Sequence, residues 1–223
     1  MQKIAIMQPY FFPYLGYFQL VNAVDTFVFY DTVNFINRGW INRNYLKNNM
    51  LFTIPILNKS QYVAITDTKV DWSSNKPKKL LKSLSLNYSK SPYKDEVISL
   101  VEKVLETKPT TISELAISSI SAVCKYLGIT TTLKVCSEEK YDQSSDRVGN
   151  LISICKSEGG TDYINAIGGA SLYSDEDFSK ENISLRFINT QNSASILDTM
   201  MDYSVDKISS QLAEYQLKEY SHV

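Results

Sequence analysis

The sequence predicts a three-layer α/β sandwich on a mainly parallel, Rossmann-like sheet, with a β-rich insertion in its first half. Three observations point there. A strand, a short loop, a helix and a second strand follow one another within residues 3–31. Strand and helix patterns alternate again from residue 129 to the end, whereas residues 32–75 lack helical periodicity. Alternation of this kind implies parallel strands covered by helices on both faces. The 223 residues form one domain, 1–223, long enough for a substantial core.

Residues 3–7, KIAIM, read as a buried strand, which Pro9 and Pro13 then interrupt by forcing an extended or turning path. From Tyr14 the apolar spacing changes: Leu15, Phe18, Val21 and Val24 predict a helix over 14–24. TFVFYD, 26–31, is a second strand, parallel to the first. Within the insertion, LFTIPI and QYVAITDTKV read as antiparallel strands. A helix follows over 77–88. Another lies in SPYKDEVISLVEKVLE with Ser91 as its cap, and a third starts at Thr111 or Ser113 and ends at Gly128. ITTTLKVCS, 129–137, is a strand. Ser144, Ser145 and Asp146 are N-cap residues for the helix carrying Val148, Leu151, Ile152 and Cys155, which Gly159-Gly160 stops. DYINAIGG is a strand running into a glycine turn, ISLRFIN (183–189) a further strand, and terminal helices occupy about 195–217.

Composition restricts the function. Twenty-three basic residues face twenty-four acidic ones, which argues against general nucleic-acid binding. No apolar run approaches the roughly 18 residues of a membrane span, and no leader pattern opens the chain. Three unpaired cysteines fit a reducing compartment, so a cytoplasmic protein is expected, with its oligomeric state left open. The one histidine, His222, stands next to the last residue, where termini ordinarily fray. A Ser-His-Asp site, a Cys-His site or a histidine-rich metal centre is not expected, and no metal site is assigned.

Four constellations can carry chemistry. Gln8, Pro9 and Tyr10 precede Tyr14-Leu15-Gly16-Tyr17 on the loop between strand and helix, at the carboxyl end of the sheet where α/β proteins place ligands. Gly16 leaves room for a ligand at the helix N-terminus, and Tyr14 and Tyr17 share one face; an aromatic staple is the structural alternative. Asp31, Asn34, Asn37, Arg38, Gly39, Trp40, Asn42, Arg43 and Asn44 form the second group. There Asp31 is a candidate base, the two arginines a pyrophosphate clamp, and Trp40 a stacking surface or merely a loop anchor. Arg147 at a helix start offers a counter-charge to phosphate. Asn165, Gly168, Gly169, Ser171 and Tyr173 can make an anion nest or a simple turn.

The opening resembles nucleotidyltransferases that place His-x-Gly-His at the start of a helix. Here the glycine is present as Gly16, but both histidines are replaced by Tyr14 and Tyr17. The likeness is therefore one of fold, with nucleotidyl transfer a minor alternative.

Taken together, MQPYFFPYLGYFQLVNAVDTFVFYD, NFINRGWINRN, the helix containing Asp146-Arg147 and LISICK, and the Gly168-Gly169 to Tyr173 segment resemble the WbqC-like family from Lys3 to about Leu212. The chain departs from the pattern only at the start of the third motif, where extra Ser and Gln residues stand. Gln8, Pro9, Tyr10, Pro13, Gly16, Tyr17, Asp31, Arg38, Trp40, Asn42, Arg43, Arg147 and Gly168-Gly169 occupy the family's motif positions. Such proteins are similar to those encoded in bacterial O-antigen and other surface-polysaccharide clusters. The resemblance implies an enzyme acting on a nucleotide-linked amino sugar by N-acyl or aminoacyl transfer, with an acyl or aminoacyl donor as co-substrate. A non-catalytic scaffold of the same pathway is the alternative from a different class.

Overall fold

In β1 (Lys3–Met7) the central residues Ile4, Ala5 and Ile6 are all buried, although alternate side chains leave opposite faces of the strand. Such a strand needs neighbours on both edges and helices above and below. The computed structural model, which describes residues 1–57, 62–142, 144, 146–190 and 194–219, supplies them. β1 pairs in parallel with β2 (Thr26–Phe29), in register from Ile4 opposite Thr26 to Met7 opposite Phe29. Helix α1 (Leu15–Asn22) connects the two. The strands predicted at 3–7 and 26–31 are thus adjacent and parallel.

After the insertion come α2 (Lys76–Asn87), α3 (Lys94–Glu106) and α4 (Ile112–Leu127), then β5 (Thr132–Val135), α5 (Arg147–Ser157), β6 (Asp162–Ala166), α6 (Asp175–Ser179) and β7 (Ser184–Asn189). The insertion's own hairpin is counted as β3 (Arg43–Leu46) and β4 (Met50–Thr53), and α7 (Ile196–Asp202), α8 (Val205–Leu212) and β8 (Gln216–Glu219) end the chain. Among the described residues the main sheet has six strands in the order β5-β2-β1-β6-β7-β8, with β8 antiparallel to β7 and the other pairs parallel.

Two apolar cores lie on opposite faces. Ala5, Phe27, Phe29, Ile164 and Ile188 pack with residues of α1, α3, α4, α7 and α8. Ile4, Ile6, Val28, Tyr163, Leu185 and Phe187 pack with Leu151, Ile154 and Cys155 of α5 and with Phe178 of α6. The period-two split of each strand between the cores makes the third layer necessary.

Helix ends follow local chemistry. Thr111 and Glu114 form a reciprocal capping box on α4, and Gly128 closes that helix in the left-handed conformation at φ 69°. Asp146 caps α5 by accepting from the N–H of Gly149 at 2.8 Å. Ser145, predicted beside it as a cap, and His222 lie outside the described residues.

Four sequence expectations need correction. Ser91 does not cap α3; it donates to the carboxylate of Asp202 on α7, and α3 instead carries Asp95 and Glu96 in its first turn, where the helix dipole favours them. The region read as a strand over 61–70 holds a 3-10 turn at Ile65–Asp67 and isolated bridges. Thr68 explains the turn: its hydroxyl donates to the Ala64 carbonyl at 2.9 Å, satisfying the backbone locally. The partner of β4 is accordingly β3. Residues 167–172 form a 3-10 segment rather than a plain glycine turn. β8 was not anticipated, because QLKE is a short polar edge strand with no alternating apolar signal. Gln19 anchors its approach by donating to the carbonyls of Gln211 and Glu214 at 2.8 and 2.9 Å.

Helix α7 carries a pH-sensitive group. Burial raises the pKa of Asp198 from 3.8 to about 6, with the Lys47 backbone N–H and ammonium opposing and Asp202 adding to the rise. A raised folded pKa means the native state holds the proton more tightly than the unfolded chain. The stability linked to this group is therefore fully present below the unfolded value and is lost as pH rises through about 6. We expect Asp198→Asn to raise Tm near pH 8, with the gain disappearing towards about pH 4. Thermal melts across that range check this, and a variant with the parent's profile would contradict it.

Candidate functional site

The sheet order places β1 at a divergence. From β1 the chain passes through α1 to β2 on one side, while β6 adds on the other. Loops leaving the carboxyl ends of β1 and β6 therefore separate, and a crevice opens between them. It encloses about 710 Å³, inside the range of roughly 300–1,000 Å³ usual for small-molecule sites. Ile6, Met7, Gln8, Tyr10 and Tyr14 form one wall, and Tyr30, Val33, Asn34, Ile36, Trp40 and Asn44 come from the end of β2 and the insertion. Arg147 and Leu151 belong to α5, Asn165 and Ala166 end β6, residues 167–169 with Leu172 and Tyr173 follow it, and Thr190 lies just past β7.

The first wall depends on an unusual backbone. Phe12 adopts φ 45°, a left-handed conformation that costs a non-glycine residue roughly 1–2 kcal/mol. Buried hydrogen bonds hold it there. The Phe12 N–H donates to Ser119 Oγ of α4 at 3.1 Å, and its carbonyl accepts from Asn44 Nδ2 at 2.9 Å and from Ser195 Oγ at 2.7 Å. The neighbouring N–H of Phe11 donates to the Ile41 carbonyl, and that of Ile196 to the Pro13 carbonyl. The turn thereby aligns β3, α4 and the start of α7 around the loop bearing Gln8, Tyr10 and Tyr14.

Arg147 is the only charged residue among the described lining residues, and no carboxylate pairs with it among the described residues. It stands at the first position of α5. Phenols surround it. Burial pushes the Tyr10 hydroxyl up to about 12, nearby Tyr14 adds to this, and the Arg147 charge opposes it. Tyr14 is raised by burial, and Tyr30 is raised by burial and by Cys136 against the pull of Arg147. These phenols keep their protons at neutral pH and act as donors, not bases. Amides from Gln8, Asn34, Asn44 and Asn165, the Thr190 hydroxyl and the apolar rim of Ile36, Trp40 and Leu172 complete the lining. Among the described residues, no group of three or more His, Cys, Asp and Glu is placed to hold a metal ion.

Of the residues expected from the sequence, the cleft gathers Gln8, Tyr10, Tyr14, Asn34, Trp40, Asn44, Arg147, Asn165, Gly168, Gly169 and Tyr173. Asp31, Tyr17, Gly16, Pro9, Asn42, Arg38 and Arg43 are placed elsewhere. Asp31, expected as a base, is 1% exposed and accepts from Ser113 Oγ at 2.8 Å, Ser137 Oγ at 2.7 Å and the Ser137 N–H at 3.0 Å, so it ties β2 to α4 and the end of β5. Tyr17 is buried and donates to the Gln8 carbonyl at 3.0 Å. Gly16 does not admit a ligand: a Cβ there would lie 2.4 Å from Thr190 Oγ1 and 2.8 Å from the Tyr14 ring, so the missing side chain makes room for Thr190. Pro9 is buried. Asn42 donates to the Ile54 carbonyl at 2.7 Å within the insertion. Arg43 does not face the cleft with Arg38 as a clamp. Its guanidinium donates to the carbonyls of Gly39 and Arg38, closing the left-handed turn at Arg38 (φ 59°) that presents Trp40.

Tyr30 and Thr190 were not anticipated. Tyr30 was legible in principle: at the end of a strand, adjacent side chains take opposite directions, so a buried Asp31 sends Tyr30 the other way. Thr190 carries no local signal, since only packing of the β7 end against Gly16 brings it to the cleft. The three cysteines are free and buried, and burial raises each thiol above its ordinary range, which leaves them poor nucleophiles.

Asp31 supplies a test of this geometry. Replacing it by Asn removes the charge that three donors share and turns an amide NH₂ towards at least one of them. We expect a stability loss of about 2–4 kcal/mol in chemical denaturation, with ligand affinity of the remaining folded protein unchanged. Full stability with abolished activity would instead restore Asp31 to the chemistry.

The chain is 29% identical over 188 residues, covering 82% of this chain and 80% of the other, to a Mycobacterium tuberculosis (strain ATCC 25618 / H37Rv) protein described as uncharacterized protein Rv1507c. No solved structure matches it significantly. The sequence profile of the WbqC-like protein family matches residues 8–210, spanning the β1–α1 loop, the insertion, the start of α5 and the segment after β6, and the chain belongs to that family.

Proposed function

We propose that the protein is an enzyme of bacterial surface-polysaccharide biosynthesis that acts on a nucleotide-linked amino sugar, transferring an acyl or aminoacyl group to its amine. The observation that carries this reading is the charge pattern of the cleft: Arg147 without a carboxylate partner, amid amides and protonated phenols, among the described residues. A diphosphate matches Arg147, whose forked donors suit phosphate oxygens. Sugar hydroxyls match Gln8 and Asn34. Trp40, 46% exposed at the rim, can stack on the base. The order of the strands and the site at their divergence support a Rossmann-like assignment.

In the transfer, the amine attacks the carbonyl carbon of the donor, a C–N bond forms, and the donor's leaving group departs with the electron pair of the broken bond. The amine proton passes to solvent. The chain's part is to hold amine and carbonyl together. Arg38 and Arg43 act indirectly, by shaping the turn that carries Trp40.

A second reading has its own support. No Asp, Glu, His, Lys or Cys stands among the described lining residues, which favours a non-catalytic binder of the same ligand. Incubation with dTDP-amino sugars and a panel of acyl and aminoacyl donors, followed by mass spectrometry, separates the two. The enzyme reading expects a mass gain on the sugar, and Arg147→Ala should lower affinity for the nucleotide sugar by about 1.5–3 kcal/mol. Tight binding with no mass gain from any donor favours the binder.

A further inference from the structure

The side-chain amide of Asn165 is hydrogen-bonded at both ends, to the backbone and to the phenols of Tyr163 and Tyr173. The backbone N–H of Ala166 donates to Asn165 Oδ1 at 2.7 Å. A backbone N–H can only donate, so this contact fixes which end of the amide is oxygen and leaves the NH₂ on the other side. That NH₂ donates to both neighbouring phenols, to Tyr163 at 3.1 Å and to Tyr173 at 2.9 Å. Both phenol oxygens are therefore acceptors, and both must place their own protons elsewhere.

Tyr163 has no access to water. It is 0% exposed, and its ring is stacked on Phe178 with the centroids 5.2 Å apart. The Tyr173 oxygen accepts from Asn165, and among the described residues no acceptor stands in hydrogen-bond geometry for the proton of Tyr173. Tyr173 is 7% exposed, and it lines the cleft that also holds Arg147.

We propose that Tyr173 is a dedicated hydrogen-bond donor to the diphosphate of the bound nucleotide sugar, its proton turned into the cleft by the amide of Asn165. This rests on the nucleotide-sugar reading above. Asn165 is then a positioning residue, not a ligand contact, since both ends of its amide are engaged. A site that presents only donors, the Tyr173 hydroxyl and the Arg147 guanidinium, selects an acceptor-only anion and rejects a neutral hydroxyl-rich ligand that needs an acceptor in return.

The test is calorimetric titration of dTDP, with thymidine as the uncharged control, against the parent and three single variants. Tyr173→Phe removes the donor and should weaken dTDP about 10- to 100-fold, the usual worth of a hydrogen bond to a charged group. Asn165→Asp replaces the donating NH₂ by an acceptor, which draws both phenol protons inward and should produce a similar loss although Tyr173 is still present. Tyr163→Phe leaves the Asn165 donation to Tyr173 in place and should bind dTDP nearly as the parent does. Because the introduced carboxylate could also repel the anion directly, the double variant decides: the two losses should not add if both act through the Tyr173 proton. Additive losses overturn the wiring, as does an equal loss for thymidine. Unchanged dTDP binding in Tyr173→Phe overturns the donor assignment and leaves the nucleotide-sugar reading standing, whereas a parent that binds no dTDP overturns both.

Discussion

The left-handed turn at Phe12 is the constraint on which the site depends. A single strained residue is held by hydrogen bonds from α4, β3 and the cap of α7, segments spread across more than half the chain. Its carbonyl accepts two bonds in a buried setting, so loss of either donor would leave a buried polar group under-satisfied as well as releasing the strain. The loop after β1 consequently cannot relax independently of the helices behind it. Gln8, Tyr10 and Tyr14 are presented from a rigid base, as a positioning site requires.

A second set of buried polar residues works in the same way on the other side of the crevice. Asp31 collects donors from α4 and from the turn after β5, fixing the end of β2. Tyr17 ties α1 to the carbonyl of Gln8, and Gly16 lets Thr190 approach at the start of that helix. Arg43 closes the turn at Arg38. Several of the polar residues that a sequence reading marks as ligand contacts are thus spent on holding loops, and the cleft-facing surface is left to amides, phenols and one arginine. This division explains how a cleft made of several separate segments can keep one shape without a disulfide.

The electrostatics of the cleft follow from what it excludes. Without a carboxylate among its described lining residues, nothing there neutralises Arg147, and burial keeps the phenols protonated. Every strong group is a donor or a neutral amide. Such a surface offers little for proton abstraction and much for orienting an anionic ligand, so any rate enhancement would come from placement and from the reactivity of the donor molecule.

The sequence by itself determined the layered fold. Strong β-branched runs, prolines bounding the first strand, cap residues such as Thr111 and Asp146, and Gly128 in a left-handed cap act over a few residues and leave a readable trace. It also placed the polar loops at the carboxyl ends of β1 and β6 on one side of the sheet, because parallel strands put those loops together. Only the tertiary structure decided which polar residues face the cleft. Asp31 and Tyr30 are adjacent, and their directions depend on which face of β2 meets α4. Gly16 looks open until the end of β7 arrives against it, and Arg43 looks like a phosphate ligand until its own loop supplies the carbonyls it binds. Ser91 and the segment around Thr68 were misread for a related reason: their hydrogen-bond partners, Asp202 across the helix layer and Ala64 within a turn, are chosen by burial and not by local propensity. Periodicity records which elements form, whereas the orientation of a polar side chain is settled by whichever buried donor or acceptor would otherwise go unpaired.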